Sequence, residues 1–162
     1  IGGGDWSKNR IIPDCVKTVI KKKNMIIRNP NSTRPWQHVL EPISGYLILG
    51  KKLFNTPKKF SGSWNFGPRL KETKKVIEVA KIIINKISSK KKINIIYKKS
   101  NFKEANLLKL NSNKANKFLK WSTRWSMLQA LNKTAEWYDC YVKKNNTKHF
   151  TESQIEDYFL ND

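Results

Sequence analysis

Five arginines stand out in a chain whose positive charge is otherwise carried by lysine: Arg10, Arg28, Arg34, Arg69 and Arg124. A guanidinium is a planar fork that meets a phosphate with two hydrogen bonds at once, which an ammonium cannot reproduce. Arginines kept against a lysine-rich background are therefore candidates for oxyanion recognition. Arg10 follows a glycine run in IGGGDWSKNR, and Arg34 precedes a tryptophan in STRPWQHV. The second motif lies within RNPNSTRPWQHVLEPISGYLILG, Arg28 to Gly50, which contains no lysine at all. Asn65 is a third candidate. WNF reads as a short buried strand between glycines, and an amide buried between Trp64 and Phe66 needs hydrogen-bond partners, as a structural clasp or as a ligand contact. Each arginine alone is also readable as surface charge; the three together could line a pocket for a phosphorylated, ring-bearing ligand.

Other chemistries are excluded by spacing. No tyrosine is followed four residues later by lysine, so the pair in which a cation lowers a phenol pKa for hydride chemistry is missing. Gly2–Gly4 matches neither a dinucleotide fingerprint nor a phosphate-binding loop and implies only a tight turn. His38 and His149 have no Cys or carboxylate cluster beside them in sequence, which argues against zinc. Glu136 and Asp139 read as exposed charge on a long helix.

The 162 residues carry 33 Lys+Arg against 12 Asp+Glu, a formal net charge of +21 and a pI near 10.1. That charge would draw nucleic acid or an anionic membrane without specific contacts. Its partners in abundance are Ile and Asn, however, and runs such as KKK at 21–23 and SSKKK at 88–92 are readable as solvated surface without a partner. Two cysteines, Cys15 and Cys140, are too few for a disulfide framework, which makes a reducing cytoplasm the expected compartment. No apolar run is long enough to span a bilayer. The first residue is Ile, and IGGGDW reads as the end of a strand entering a turn, so truncation at the N-terminus is expected.

The elements that must position these side chains are mostly helical. RIIPDCVKTVIKKK predicts a helix with Ile12, Cys15, Val16, Val19 and Ile20 inward and Pro13 in its first turn. NMIIRN and INIIYK predict short strands, and STRPWQHV an extended segment, because the residue before Pro35 is steered out of the helical region. LEPISGYLILGKKL predicts a buried helix with Leu47, Leu49 and Leu53 inside. KETKKVIEVAKIIINKI places Val76, Ala80, Ile83, Ile84 and Ile87 on one face. SNKANKFLKW predicts a helix capped by Ser112, SMLQALNKTAEWYDCYVKK the longest helix, and TESQIEDYF a short last one. The strands are too few to close a sheet alone.

At GGGDWSKNRIIPD, IIRNPNSTRPWQHVLEPISGYLILGKKL, WNFGP, KEANLLKLNSNKANKFLKW, WSMLQALNKTAEWY and TESQIEDY, in this order, the chain resembles the C-terminal part of the CDP-glucose 4,6-dehydratases in the extended short-chain dehydrogenase/reductase family. The resemblance covers essentially all 162 residues. It implies an α/β class in an α-rich form: residues 1–162 as the substrate-binding domain, mostly helices with a few short strands and the Rossmann core largely missing. It implies NAD held by that missing N-terminal half, CDP-glucose as the bound nucleotide sugar, a homodimer in the complete enzyme, and neither nucleic acid nor membrane as partner. The implied reaction oxidises C4, eliminates water across C5 and C6 and returns the hydride to C6, with its catalytic residues outside this segment. By the same resemblance Arg10 is a basic substrate contact followed by backbone contacts at Ile11 and Ile12. Arg34 grips the diphosphate, Asn65 contacts the nucleotide, and Glu104 reaches toward it from a segment reading Phe102, Lys103, Glu104, Ala105 in place of Pro-His-Glu-Ala. Lys120 stands where the family has glycine. Two other readings stay open from the residues: a basic nucleic-acid-binding protein, and an epimerase or dehydratase for another nucleotide.

Overall fold

The computed structural model describes residues 1–87, 93–98 and 108–160; Glu104 and the SSKKK run lie outside them. Among the described residues, seven helices and four short strands follow in the order α1 (Ile11–Lys21), β1 (Met25–Ile27), β2 (Thr33–Arg34), α2 (Leu40–Asn55), α3 (Pro57–Phe60), β3 (Lys74–Lys75), α4 (Val76–Ile87), β4 (Ile95–Tyr97), α5 (Asn113–Leu119), α6 (Met127–Val142) and α7 (Thr147–Leu160). The expected helix-rich architecture is present. The described strands form only two pairs: β1 with β4 in parallel, Met25 opposite Ile95, and β2 with β3 antiparallel, Thr33 opposite Lys75 and Arg34 opposite Lys74.

One apolar core joins α1, α4, α6 and β1. Cys15, Val16, Val79, Ile83, Leu131, Ala135 and Tyr138 are all fully buried in it. The 3.6-residue spacing that makes α4 amphipathic turns Val79, Ala80, Ile83, Ile84 and Ile87 inward, as its pattern predicts. α1 ends where Lys22 adopts a left-handed conformation, φ 52°, and its N–H reaches the carbonyls of Thr18 and Val19. Ile20, expected inside, is 46% exposed because it falls on the outer side of that last turn.

A second, smaller core holds Phe60, Phe66, Ala115, Leu119 and Trp121, under the C-terminal half of α2. Here several expectations fail. Of the α2 leucines expected inside, Leu49 and Leu53 are half-buried against this core but Leu47 is exposed. Its inward face is Leu40, Glu41, Ser44 and Gly45. A Cβ at Gly45 would fall 2.3 Å from the Phe66 ring, so the missing side chain is what lets that ring lie on the helix backbone. WNF forms no strand, and Asn65 is exposed. Alternation along the extended chain turns Trp64 and Phe66 inward and the residue between them outward.

Ser112 precedes α5 but does not cap it. Its hydroxyl accepts from the Gly67 N–H at 2.7 Å, and Asn111 Oδ1 accepts from Asn113 N–H instead. Lys120 closes α5 at φ 56°, the left-handed geometry that favours glycine. α6 is a 16-residue helix, equalled in length by α2, and starts with a reciprocal capping box between Ser126 and Gln129. α7 runs 14 residues, longer than the short helix expected over TESQIEDYF, because Asn146 Oδ1 accepts from His149 N–H and starts the helix early.

Candidate functional site

The N-terminus of α1 and the segment from Arg34 to Val39 face each other across a cleft of about 460 Å³, within the size range of small-molecule sites. Arg10, Ile11, Ile12 and Arg34 all line it. Its apolar wall is Pro35 and Trp36 together with the α1 residues. Asn65 is not among the lining residues.

Arg10 occupies the N-cap of α1 with extended backbone, φ −110° and ψ 135°, and supplies no side-chain cap. The N–H groups of Ile11 and Ile12, at the first two helical positions, therefore have no intrahelical acceptor, and they begin a helix whose dipole favours an anion. The Arg10 guanidinium is 3.2 Å from Asp5 Oδ2 and mostly exposed. Partial burial alone would raise the Asp5 pKa. The Ser7 N–H at 2.9 Å and the Arg10 guanidinium outweigh it and hold the carboxyl below its usual range. Asp5 is fixed from behind, since Tyr138 Oη donates to its carbonyl at 2.6 Å.

Arg34 is set by the β2–β3 pair, and its Nη1 donates to the Thr33 carbonyl at 2.9 Å. Trp36 is pinned beside it: its indole N–H donates to the Lys74 carbonyl at 3.0 Å and its ring is 9% exposed. Arg34, Trp36 and Ile11 also border a second, more polar recess of about 290 Å³ containing Arg28, Asn9 and Asp14, where Arg28 Nη2 donates to Asn9 Oδ1 at 2.8 Å. Arg34 thus stands between two hollows, one apolar-walled and one polar.

Gln37 ties the cleft to the segment carrying Asn65, as its Nε2 donates to the Phe66 carbonyl at 2.8 Å. The Ile1 nitrogen donates to the Gln37 carbonyl at 2.7 Å and the Val39 N–H to the Ile1 carbonyl at 2.7 Å. That is the bonding pattern of parallel strands centred on Ile1 and His38. His38 is 3% exposed and its Nδ1 accepts from the Leu40 N–H at 3.4 Å, which leaves the ring proton on Nε2. Nε2 is buried without a partner among the described residues. Burial first, then the Ile1 ammonium and Lys133, pull the His38 pKa down to about 3, so the ring is neutral at physiological pH.

Behind the cleft, in the first turn of α2, lies a buried carboxylate that periodicity does not reveal. Glu41 is 1% exposed. Its oxygens accept from the backbone N–H of Arg124 at 3.0 Å, that of Trp125 at 2.9 Å and Tyr158 Oη at 2.7 Å. The Trp121 indole N–H donates to Ser44 Oγ at 2.9 Å in the same knot. This arrangement anchors α2, the 121–126 loop and α7 to one another, and with them the position of the Arg34–Val39 segment.

The glycine run gives no cradle for a dinucleotide. A Cβ at Gly3 would lie 2.1 Å from the Trp137 ring, so the space a phosphate would need is filled by an indole. No group of His, Cys, Asp and Glu among the described residues is placed to hold a metal ion.

The structure therefore brings Arg10, Ile11, Ile12 and Arg34 to one cleft and leaves Asn65 outside it. Trp36, the tryptophan next to Arg34 that was expected to pack under the ligand, lines the cleft as well. Asp5, Arg28, Gln37 and His38 also border this region and were missed as site residues. The lysine-free stretch that begins at Arg28 was the available signal for three of them.

With this geometry in place, the fold defines a class. Over 85% of its length the chain superposes, with a TM-score of 0.67 and 21% identity, on 41% of the dTDP-glucose 4,6-dehydratase of Bacillus anthracis, solved in complex with NAD. It superposes on 43% of an epimerase from Methanothermobacter thermautotrophicus with a TM-score of 0.72 over 89% of the chain at 20% identity. The UDP-glucuronic acid 4-epimerase of Bacillus cereus follows with a TM-score of 0.65, 84% of this chain, 40% of that one and 20% identity. The chain thus shares its fold with part of these dehydratases and epimerases. It matches no protein-family model. In sequence it is similar to the CDP-glucose 4,6-dehydratase of Salmonella typhimurium, with 37% identity over 158 residues, 98% of this chain and 44% of that protein. The resemblance drawn from the quoted motifs holds along the whole chain, which spans less than half the length of that relative.

Proposed function

We propose that this chain is the substrate-clasping part of a CDP-glucose 4,6-dehydratase, a lyase that converts CDP-glucose to CDP-4-keto-6-deoxyglucose and water. The observation that carries the reading is the shared cleft: two guanidinium groups and the uncapped start of α1 face an apolar wall of Pro35 and Trp36. Such a site suits a sugar diphosphate, with charge-assisted bonds to the phosphates and apolar contact for the rings. The 37% identity along the chain favours CDP-glucose over another nucleotide sugar.

In this reading NAD is the hydride carrier, bound by the part of the enzyme that corresponds to the remaining length of the relative; the closed glycine run agrees with that division. Arg34 holds the diphosphate against Trp36, and Arg10, oriented by Asp5, closes on it from the α1 side. The first-turn N–H groups of Ile11 and Ile12 supply further donors. Asn65 and Glu104 are retained as nucleotide contacts on resemblance alone, Asn65 from an exposed position whose neighbour Phe66 is tied to Gln37. The complete enzyme acts as a homodimer in the cytoplasm and supplies a deoxysugar precursor of surface polysaccharide. The nucleic-acid reading loses ground, because the 37% identity is to a sugar enzyme and extends along the whole chain.

Arg34→Lys in the complete enzyme tests this reading. Lysine keeps the charge and loses the fork. The KM for CDP-glucose is expected to rise at least several-fold, toward the roughly tenfold that losing a charge-assisted phosphate bond of about 1.5 kcal/mol represents. An unchanged KM removes Arg34 from the site.

A further inference from the structure

Between Pro42 and Lys71 the sequence contains no Asp or Glu, and between Leu108 and Ala135 it again contains none. These segments meet in space, where the second half of α2, α3, the 61–71 loop and α5 share the small core around Phe60 and Trp121. On the surface of this sector Lys51, Lys52, Lys58, Lys59, Lys114 and Lys117 are exposed. None of them is ion-paired among the described residues, whereas α6 and α7 carry paired lysines, Lys133 with Asp157 at 2.6 Å and Lys143 with Asp139 at 2.6 Å.

Amid these lysines, at the α2–α3 corner, Phe54 is 90% exposed. It lies in the last turn of α2, with Lys51 and Lys52 just before it and Lys58 and Lys59 just after. The other rings nearby are engaged: Phe60 and Trp64 stack at 6.1 Å, Lys52 and Lys59 lie 5.9 and 5.7 Å from the Phe60 centroid, Lys114 lies 4.2 Å from that of Trp64, and Lys117 lies 5.5 Å from that of the half-exposed Phe118. Two separate exposed rings with cations beside them are not the open row of aromatic faces on which a single-stranded nucleic acid stacks its bases. The sector offers instead one ring, Phe54, that protrudes almost completely within a field of ammonium groups.

We propose that the α2–α3 corner docks on an anionic lipid surface. Phe54 enters the boundary between headgroups and acyl chains, and Lys51, Lys52, Lys58 and Lys59 lie among the headgroup phosphates and carboxylates. Charge complementarity selects the occupant, since the sector is wholly cationic and a neutral bilayer gives the lysines nothing to meet. No helix among the described residues is long and apolar enough to cross a membrane, and this contact requires none. It departs from the absence of a membrane partner that the resemblance implies. It is independent of the nucleotide-sugar reading, because it uses none of the cleft residues.

The test is co-sedimentation of the 162-residue chain with phosphatidylcholine vesicles, with and without phosphatidylserine, beside binding to soluble heparin. The chain is expected to sediment with the phosphatidylserine vesicles only. Phe54→Ser should weaken that binding about tenfold while leaving heparin binding unchanged, as burial of a phenyl ring implies. Replacing Lys51, Lys52, Lys58 and Lys59 by Gln should weaken it at least a hundredfold, at about fivefold per lysine. The same replacement at the exposed Lys8, Lys21, Lys23 and Lys81 leaves the corner intact and should cost far less. No sedimentation with phosphatidylserine vesicles overturns the proposal. So does equal sedimentation of wild type and Phe54→Ser, or an equal loss in the two lysine variants, either of which reduces the effect to diffuse charge.

Discussion

The two halves of the molecule are held together by different physics. The core around α4 is apolar throughout: Val79, Ile83, Leu131 and Tyr138 meet with no exposed area, and the polar part of Tyr138 is satisfied at its rim by the Asp5 carbonyl. The junction of α2, the 121–126 loop and α7 is built around a carboxylate. Glu41 organises two backbone N–H groups and the Tyr158 hydroxyl, while Ser44 and Trp121 close the knot. An apolar core tolerates changes of shape better than changes of volume. A buried carboxylate tolerates neither the loss of its charge nor the loss of its geometry, because every donor aimed at it is then stranded in a dry place. The cleft lies between these regions, so α1 reaches it from the apolar side and the Arg34–Val39 segment from the polar side.

The contrast can be broken by paired substitutions, the largest effect first. Glu41→Ala strands three donors and is expected to cost about 4 kcal/mol, with Glu41→Gln, nearly identical in shape, still costing about 2 kcal/mol. Urea denaturation of both variants measures this, and an isosteric Glu41→Gln as stable as wild type would show that hydrogen-bond geometry, not charge, sustains the knot. In the apolar half the conservative change is tolerated better. Ile83→Ala should cost about 3 kcal/mol for the cavity, whereas Ile83→Leu, which conserves volume, should cost less than about 1.5 kcal/mol. If Ile83→Leu and Ile83→Ala proved equally damaging, the apolar core would be as exacting as the polar one.

A smaller effect sharpens the comparison at the boundary. His38 titrates near 6.5 when unfolded and at about 3 in the folded chain, chiefly through burial. Between those values the unfolded state binds the extra proton, so stability is fully present above about pH 6.5 and declines as the pH falls toward 3. The slope is at most about 1.4 kcal/mol per pH unit. His38→Gln should flatten the decline over that window. A parallel decline in both proteins would place the acid sensitivity elsewhere.

How far the sequence was legible follows the same division. The inward residues of α4 and most of those of α1 were readable because apolar side chains recur at helical spacing, and β1 and β4 because short β-branched runs are bounded by polar residues. α2 was misread for the opposite reason. Its leucines suggested a fully buried helix, yet Leu47 is exposed, Leu49 and Leu53 are only half-buried, and the most buried face includes Glu41, Ser44 and Gly45, chosen by the Phe66 ring and by donors more than 80 residues away. Asn65 was misplaced because a strand flanked by aromatics was assumed to be buried on both sides; one-sided burial turns its middle residue outward. The arginines were legible by contrast with lysine, and two of the three polar candidates do share a cleft. Gln37 and His38 were not, since a long-range contact and an orphaned ring nitrogen leave no local pattern.

The most direct test of the central claim is a titration of the ¹⁵N-labelled chain with CDP-glucose, followed by amide chemical shifts, for wild type and Arg34→Ala. The account predicts saturable shifts confined to the α1 N-terminus around Arg10–Ile12 and to Arg34–Val39, and their loss in Arg34→Ala. Shifts spread over the surface lysines, or shifts at the cleft that survive Arg34→Ala unchanged, would contradict it.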